Sequence, residues 1–159
     1  MDPLAAIKKR LNDDLAALDR ELRIELPKEI KKALEMGDLR ENAEYKAALE
    51  RQEYVRLRIG QLHKRLSEVL MINPKQVPKD RAAYGSTLHL FDIEAGEEII
   101  YKLVMAEEAD PDKGWITTSS PIGKSLMGRK EGDEVKIRTP GGQKHYEISK
   151  LITLHDEAP

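Results

Sequence analysis

Three carboxylates recur at three-residue intervals in residues 37–45, GDLRENAEY: Asp38, Glu41 and Glu44. If a helix begins here, this spacing places all three on adjoining faces of its first turns. One interpretation is capping, in which Asp38 accepts hydrogen bonds from the first helical amides and Glu41 completes a capping box. The other is an open set of oxygen ligands for a hard cation such as Mg²⁺. The spacing by itself favours capping, and two carboxylates would need further ligands from a partner to hold the ion.

The rest of the chain offers no comparable set of reactive side chains. There is no cysteine, which excludes a thiolate nucleophile, a disulfide framework and a zinc site of the cysteine type. No phosphate-binding loop or nucleophile elbow is visible. Four histidines show no ligand spacing and are interpreted as surface or packing residues: His63, His89, His145 and His155. The sequence therefore predicts no catalytic site that is complete on its own.

Composition limits the class of protein. The 159 residues allow one ordinary domain or two small ones, and 40% hydrophobic residues are enough to form a core. A net charge of −2 argues against a generally basic nucleic-acid-binding protein. No run of 18 apolar residues is present, and the start MDPLAAIKKR has no apolar stretch after a basic segment. We therefore expect a soluble cytoplasmic protein without a membrane segment or a secretory signal.

A proline-containing joint divides the chain into two domains. Pro74 and Pro78 lie within five residues, cannot continue a helix and favour an extended connection. Glycine is rare before this joint and frequent after it. We predict an α-helical domain over residues 1–73, a linker over 74–80 and a second domain over 81–159.

The first domain carries two helical patterns. Asp2 and Pro3 suit an N-cap and a first turn, Pro27 predicts a kink before helix resumes at Lys28, and Gly37 suits a C-cap. Apolar residues in the first pattern recur in steps of three and four at Leu4, Ile7, Leu11, Leu15, Leu18 and Leu22. From about residue 38 the second pattern runs through Tyr45, Ala48, Gln52, Val55, Ile59, Leu62, Leu66 and Val69. Two long helices with a very short connection fold back on each other, so we predict an antiparallel coiled-coil hairpin with residues 37–45 at its turn.

The second domain reads as a small sheet with one short helix. Strands are predicted over residues 84–91, 98–105, 115–118, 134–138 and 144–154, with a turn at 140–142. A short helix is predicted over residues 120–127, with Gly128 ending it. In the first strand, Leu88 and Leu90 share one face. The whole chain is therefore predicted to be an α+β protein, a helical hairpin followed by a small β-sheet domain.

Two blocks of the sequence resemble a known family. Residues 35–48, EMGDLRENAEYKAA, resemble the coiled-coil tip of the bacterial Gre transcript-cleavage factors. Residues 114–142, GWITTSSPIGKSLMGRKEGDEVKIRTPGG, resemble their C-terminal domain. Two short motifs, SPIG at 120–123 and GDE at 132–134, are more similar to the A type of this family than to the B type. The resemblance covers essentially the whole chain in order.

The resemblance implies a fold and an activity. Family members have an N-terminal antiparallel coiled coil and a C-terminal domain similar to the FKBP prolyl isomerases. The C-terminal domain docks at the rim of the RNA polymerase secondary channel, and the coiled coil enters it. The factor is not an enzyme itself but stimulates cleavage by the polymerase of the 3′ end of backtracked nascent RNA. By motif position, Asp38 and Glu41 are the metal-assisting pair, sharing an Mg²⁺ with the polymerase; no cofactor of the chain's own is implied.

The resemblance also suggests roles for residues around this pair. Asn42, Glu44 and Tyr45 are expected to shape the tip or to orient a water molecule, and Tyr45 also fits the helical seam. Relatives often carry basic residues beside the tip, where this chain has Leu34 and Leu49. Basic residues that could substitute by binding RNA phosphates are Arg40, Lys46 and Arg51, with Arg56 and Arg58 further along, although each also fits an ordinary solvated helix face. We therefore expect cleavage of short rather than long 3′ extrusions.

Ser120, Pro121 and Ile122 are the candidates for contact with the polymerase. The same residues suit a plain strand-to-helix turn with Ser120 as the N-cap, so both interpretations stay open. We expect the factor to act as a monomer.

Three other functions compete with this interpretation. A polymerase-binding inhibitor could block the channel with the same architecture, but the presence of both tip carboxylates favours activation. A coiled-coil chaperone would need an apolar tip, whereas this tip is acidic. A prolyl isomerase would need an apolar pocket lined by aromatic side chains. The second domain holds few aromatics, namely Tyr84, Phe91, Tyr101, Trp115 and Tyr146.

Overall fold

The chain forms two compact units, Met1–Pro74 and Lys75–Pro159. The structure, a computed structural model, describes residues 2–37 and 39–157, without the side chains of residues 36, 39–42 and 157. Pro74–Gln76 forms a short 3₁₀ turn across the boundary between the two units. The role of residues 74–80 as a linker stays a prediction.

The first unit is a helical hairpin. Its first arm consists of α1 (Ala5–Arg20), a π turn (Glu21–Glu25) and α2 (Leu26–Met36), and its second arm is α3 (Leu39–Leu70). Helix α3 packs against both α1 and α2. The buried side chains of the two arms are Leu4, Ile7, Leu11, Leu15, Leu26, Ala33, Ala48, Val55, Leu62 and Val69. The other predicted seam positions are half-buried, so the two helical patterns are confirmed.

The predicted C-cap at Gly37 is present, whereas α1 begins at Ala5 with Leu4 as its N-cap, so Asp2 holds the turn before the helix instead of capping it. The Asp2 carboxylate accepts a hydrogen bond from the Leu4 amide at 2.9 Å and lies 2.7 Å from the Lys8 ammonium. At the other end, Gly37 has a φ of 82°, the left-handed conformation that terminates α2 and that side-chain-bearing residues avoid.

The region of Pro27 differs from the prediction. The prediction had helix resume at Lys28, whereas the helical path widens into the π turn and α2 already begins at Leu26. The Leu26 amide donates to the Glu21 carbonyl, five residues back. Pro27 then falls in the first turn of α2, where a residue without an amide hydrogen is tolerated.

Gly60 lies in the interior of α3, where an added Cβ meets nothing within 4 Å. Gly60→Ala is expected to stabilise the hairpin by about 0.5–1 kcal/mol, because alanine loses less backbone freedom than glycine when a helix forms. Urea unfolding followed by circular dichroism at 222 nm measures this change. A lower midpoint with an unchanged slope would contradict the prediction.

The second unit is a five-stranded sheet with a short helix. The strands are β1 (Thr87–Asp92), β2 (Glu98–Val104), β3 (Trp115–Thr117), β4 (Glu134–Thr139) and β5 (Gly142–Ile152). Their order across the sheet is β3-β2-β1-β5-β4, and all neighbours are antiparallel except β2 and β3. Helix α4 (Pro121–Leu126) follows β3. The predicted α+β class is confirmed, while the likeness to the FKBP fold stays a prediction.

The core of this unit lies between one face of the sheet and α4. Leu88 and Leu90 of β1 are fully buried, as the predicted alternation requires. They belong to a cluster that also contains Ala82, Leu103, Leu126, Val135, Ile137, Tyr146 and Ile148. Because Leu126 of α4 belongs to this cluster, the turn before α4 is held against a packed core.

Three strand ends differ from the prediction by two or three residues, and one of them is the start of β5 at Gly142 rather than at residue 144. The first strand begins at Thr87 rather than at residue 84, because Tyr84 and Gly85 form a turn. The last strand ends at Ile152 rather than at residue 154. There the Thr153 amide and hydroxyl both donate to the Asp156 carboxylate, at 2.8 and 3.1 Å, at the start of an unpredicted single turn, α5 (Leu154–Glu157).

Candidate site at the turn of the helical hairpin

The carboxylate-bearing stretch lies where the two arms of the hairpin meet. Helix α2 ends at Met36 and α3 begins at Leu39, so Gly37 and Asp38 alone connect them. Asp38 lies outside the described residues. The backbone of Glu41 is in the first turn of α3, but its side chain, like those of Arg40 and Asn42, is also outside the described part. The choice between capping and metal assistance for Asp38 and Glu41 therefore stays a prediction.

The next turn of α3 is described completely. Glu44 and Lys46 are exposed, and Tyr45 is half-buried, as its place in the helical seam requires. Glu44 borders a shallow open groove of about 390 Å³ between α2 and α3. The remaining lining residues are Glu29, Lys32, Ala33, Ala47, Ala48 and Arg51. Charged side chains thus surround a floor of alanines just behind the tip.

Arg51 is held by a carboxylate from the opposite arm. Its Nε donates to Glu21 Oε2 at 2.6 Å and its Nη2 donates to Glu21 Oε1 at 2.9 Å, a two-pronged contact. Its guanidinium also lies over the Tyr54 ring, 5.0 Å from the centroid. The hydrogen bonds raise the pKa of Arg51 and lower the pKa of Glu21 below its usual range. This candidate for RNA binding therefore already has an anionic partner within the chain.

Leu34 and Leu49 present apolar surface on either arm near the tip. Their exposed fractions are 62% and 38%. Neither carbon side chain can bind a phosphate, so the described part of the tip region offers RNA less positive charge than a tip with basic residues at these positions. This exposure supports the expectation of a weak grip on long RNA.

The turn before α4 positions the second group of candidates. Ser120 Oγ accepts a hydrogen bond from the Gly123 amide at 3.0 Å and donates to the Thr117 carbonyl at 2.8 Å. Its interpretation as the N-cap is confirmed. Pro121 is exposed, whereas Ile122 is half-buried and packs against the sheet core. Among the three, Pro121 offers its surface most fully to a partner.

Metal-binding clusters and membrane-spanning helices are absent from the part of the chain that the structure describes. No group of three or more His, Cys, Asp or Glu side chains there could hold a metal ion. No helix within those residues is long and apolar enough to cross a membrane.

The Glu21–Arg51 pair is the feature that sequence reasoning missed. Arg51 was a candidate from its charge, but nothing drew attention to Glu21, which lies 30 positions earlier. The opposite charges were the available signal. To pair these two charges one must know which residues of the two arms lie opposite each other. The π turn shifts that pairing along the first arm.

Comparison with known proteins decides the family. Residues 5–70 match the family described as "Transcription elongation factor, N-terminal". Residues 77–153 match "Transcription elongation factor, GreA/GreB, C-term". The chain belongs to the GreA/GreB family of transcription elongation factors. The two matched segments cover both units and leave out only residues 71–76 between them, so GreA/GreB membership applies to the hairpin and to the sheet.

Individual GreA/GreB relatives are similar over nearly their whole length. "Transcription elongation factor GreA" of Nautilia profundicola is 45% identical over 143 residues, which cover 90% of this chain and 88% of the relative. The GreA of Anaeromyxobacter sp. (strain K) is 41% identical over 150 residues, covering 94% and 90%. The solved structure of "GreA factor homolog 1 (Gfh1)" of Thermus thermophilus is 25% identical, covers 91% of this chain and 93% of that one, and has a TM-score of 0.42.

Membership in the GreA/GreB family confirms the resemblance seen in the sequence, including the similarity to the A type. The chain is an accessory transcription elongation factor rather than an enzyme in its own right.

Proposed function

We propose that this GreA/GreB member binds RNA polymerase, inserts the hairpin turn into the secondary channel and stimulates the polymerase's own cleavage of backtracked nascent RNA. Cleavage of the 3′ end would return an arrested complex to elongation. The observation that carries the proposal is the placement of the stretch after Gly37 at the junction of α2 and α3. Because α3 has 32 residues, this junction lies about 48 Å from the far end of the helix. A turn presented on an arm of that length suits a narrow channel.

Asp38 and Glu41 are proposed to supply carboxylate oxygens to an Mg²⁺ that the polymerase holds. Hard cations prefer oxygen ligands, and such an ion activates the attacking oxygen and stabilises the leaving one. Two carboxylates leave most ligand positions unfilled, which is consistent with a factor that acts only inside another protein's site. Asn42, Glu44 and Tyr45 are proposed to shape the turn or to orient water.

The second unit is proposed to dock at the rim of the channel. Its candidate contacts are the exposed Pro121 and the neighbouring Ile122, on a turn that Ser120 fixes through the Gly123 amide and the Thr117 carbonyl. A turn with its own hydrogen bonds satisfied can meet a partner without rearrangement. Arg40 and Lys46 are proposed as weak contacts to the 3′ end of the RNA. We further propose that the factor works as a monomer in the cytoplasm.

The test is RNA cleavage in a stalled, backtracked elongation complex prepared with a matching polymerase. We expect the protein with Mg²⁺ to shorten the RNA in this complex and to leave the same RNA intact when it is free in solution. Binding of the factor to the complex is measured in parallel from its effect on sedimentation or gel mobility.

Two outcomes would contradict the proposal. Binding without cleavage would favour a channel-blocking inhibitor with the same architecture. Cleavage of free RNA would show that the chain holds a complete site and is not an accessory factor.

A further inference from the structure

The contact between Glu21 and Arg51 joins the π turn of the first arm to α3 of the second. Two hydrogen bonds of 2.6 and 2.9 Å use both prongs of the guanidinium. The Tyr54 ring, at 5.0 Å, covers one face of the same group. Glu29 on α2 adds negative charge nearby. Arg51 is therefore oriented, neutralised and still half-exposed at the edge of the groove behind the tip.

Arg51 lies so far behind the tip of the hairpin that only a long extruded 3′ end of the RNA could reach it. It follows Leu39, the first residue of α3, by 12 positions, which corresponds to about 18 Å along the helix. With about 3.4 Å per stacked nucleotide, a strand that passes the tip needs about five nucleotides to come level with it.

We propose that Glu21 competes with RNA phosphate for Arg51 and thereby limits this factor to short 3′ extrusions. This inference rests on the proposed function, since it concerns the RNA that the tip would act on. Glu21 is then a specificity-determining residue that touches neither the metal nor the reacting bond.

The competition follows from the chemistry of the guanidinium. Carboxylate and phosphate both match its planar fork, so one excludes the other from the same two donors. A phosphate that arrives must displace a carboxylate that is already in place and held close by the fold. Removing the charge of Glu21 leaves the stacking on Tyr54, which keeps the fork oriented toward a new anion.

The experiment compares the unaltered protein with Glu21→Gln on complexes backtracked by two nucleotides and by about ten. We expect Glu21→Gln to increase cleavage in the longer complexes about three- to ten-fold and to leave the two-nucleotide complexes unchanged. Crosslinking of a photoreactive nucleotide in the extruded RNA to the hairpin should rise in parallel. Its decline with salt should steepen by about 0.7 in log–log slope, as expected for one added phosphate contact.

Matched control variants test whether the effect depends on the Glu21–Arg51 pair. Glu25→Gln removes the same charge from the same π turn, where Glu25 lies 3.8 Å from Arg20, and should change nothing. In an Arg51→Gln background, Glu21→Gln should have no effect. Circular dichroism at 222 nm verifies that each variant keeps its helices.

The outcomes separate this inference from the proposed function. If the unaltered protein fails on the two-nucleotide complexes, the proposed function itself is wrong. If it cleaves them but Glu21→Gln gives no increase on the longer ones, the competition is overturned. An equal increase in the Arg51→Gln background would also overturn it.

Discussion

Replacing both tip carboxylates by amides of the same shape, Asp38→Asn with Glu41→Gln, is expected to lower stimulated RNA cleavage by about 100-fold or more. A loss of this size is typical when a group that stabilises charge in the transition state is removed. The amide of asparagine still caps a helix, so the start of α3 and the binding of polymerase should survive. The assay is the rate of RNA shortening in a backtracked complex under saturating factor.

A control variant tests whether position or charge matters. Glu53→Gln removes one negative charge from an exposed site further along α3 and should leave cleavage unchanged. If the double variant still cleaves within about three-fold of the unaltered protein, Asp38 and Glu41 are helix caps and the metal-assisting role fails.

Gly123→Ala is expected to destabilise the second unit by about 3 kcal/mol, because the added methyl group has no room. An ideal Cβ at Gly123 would lie 2.0 Å from the Thr117 carbonyl oxygen and 3.0 Å from Ser120 Oγ. The carbonyl belongs to the backbone and accepts the Ser120 hydroxyl, so it cannot move without breaking that turn. The docking surface proposed for Pro121 should therefore weaken together with the fold.

The unfolding of this unit can be followed separately from the hairpin. Trp115 is the chain's single tryptophan and lies in β3, so its fluorescence reports on the sheet. Gly60→Ala is the matched control, since the same substitution there meets open space and is expected to stabilise. A Gly123→Ala protein whose fluorescence transition keeps its midpoint would show that the turn can relax around the methyl group.

The parts of the fold with strong periodicity were predictable from the sequence. Apolar steps of three and four defined both arms of the hairpin, because burial of one helical face demands that spacing. Alternation in β1 placed Leu88 and Leu90 in the core for the same reason. Gly37 and Ser120 were identifiable as caps because few residue types can end or begin a helix there.

Features that depend on tertiary contacts were not predictable. The π turn escaped detection because Pro27 indicated a break, while packing of Leu26 in the seam keeps the helix continuous. Helix α5 depends on the bonds from Thr153 to Asp156, in a stretch whose apolar residues also suit a strand. At the site, the residue types suggested two roles for the carboxylates, capping and metal assistance, and the choice between them stays a prediction. The partner of Arg51 could be found only once the pairing of the arms was known.

The π turn also affects how residues are counted along the first arm. Apolar positions from Leu18 through Leu22 and Leu26 to Ile30 follow three successive steps of four, which on a regular α-helix would carry the stripe around the cylinder. The wider turn absorbs this drift and keeps Leu26 facing α3. In geometric terms the π turn is equivalent to one extra residue in the helix. Residues 21–25 are thus the place where a descendant could lose one residue and regain a regular helix, and doing so would rotate α1 by about 100° relative to the tip.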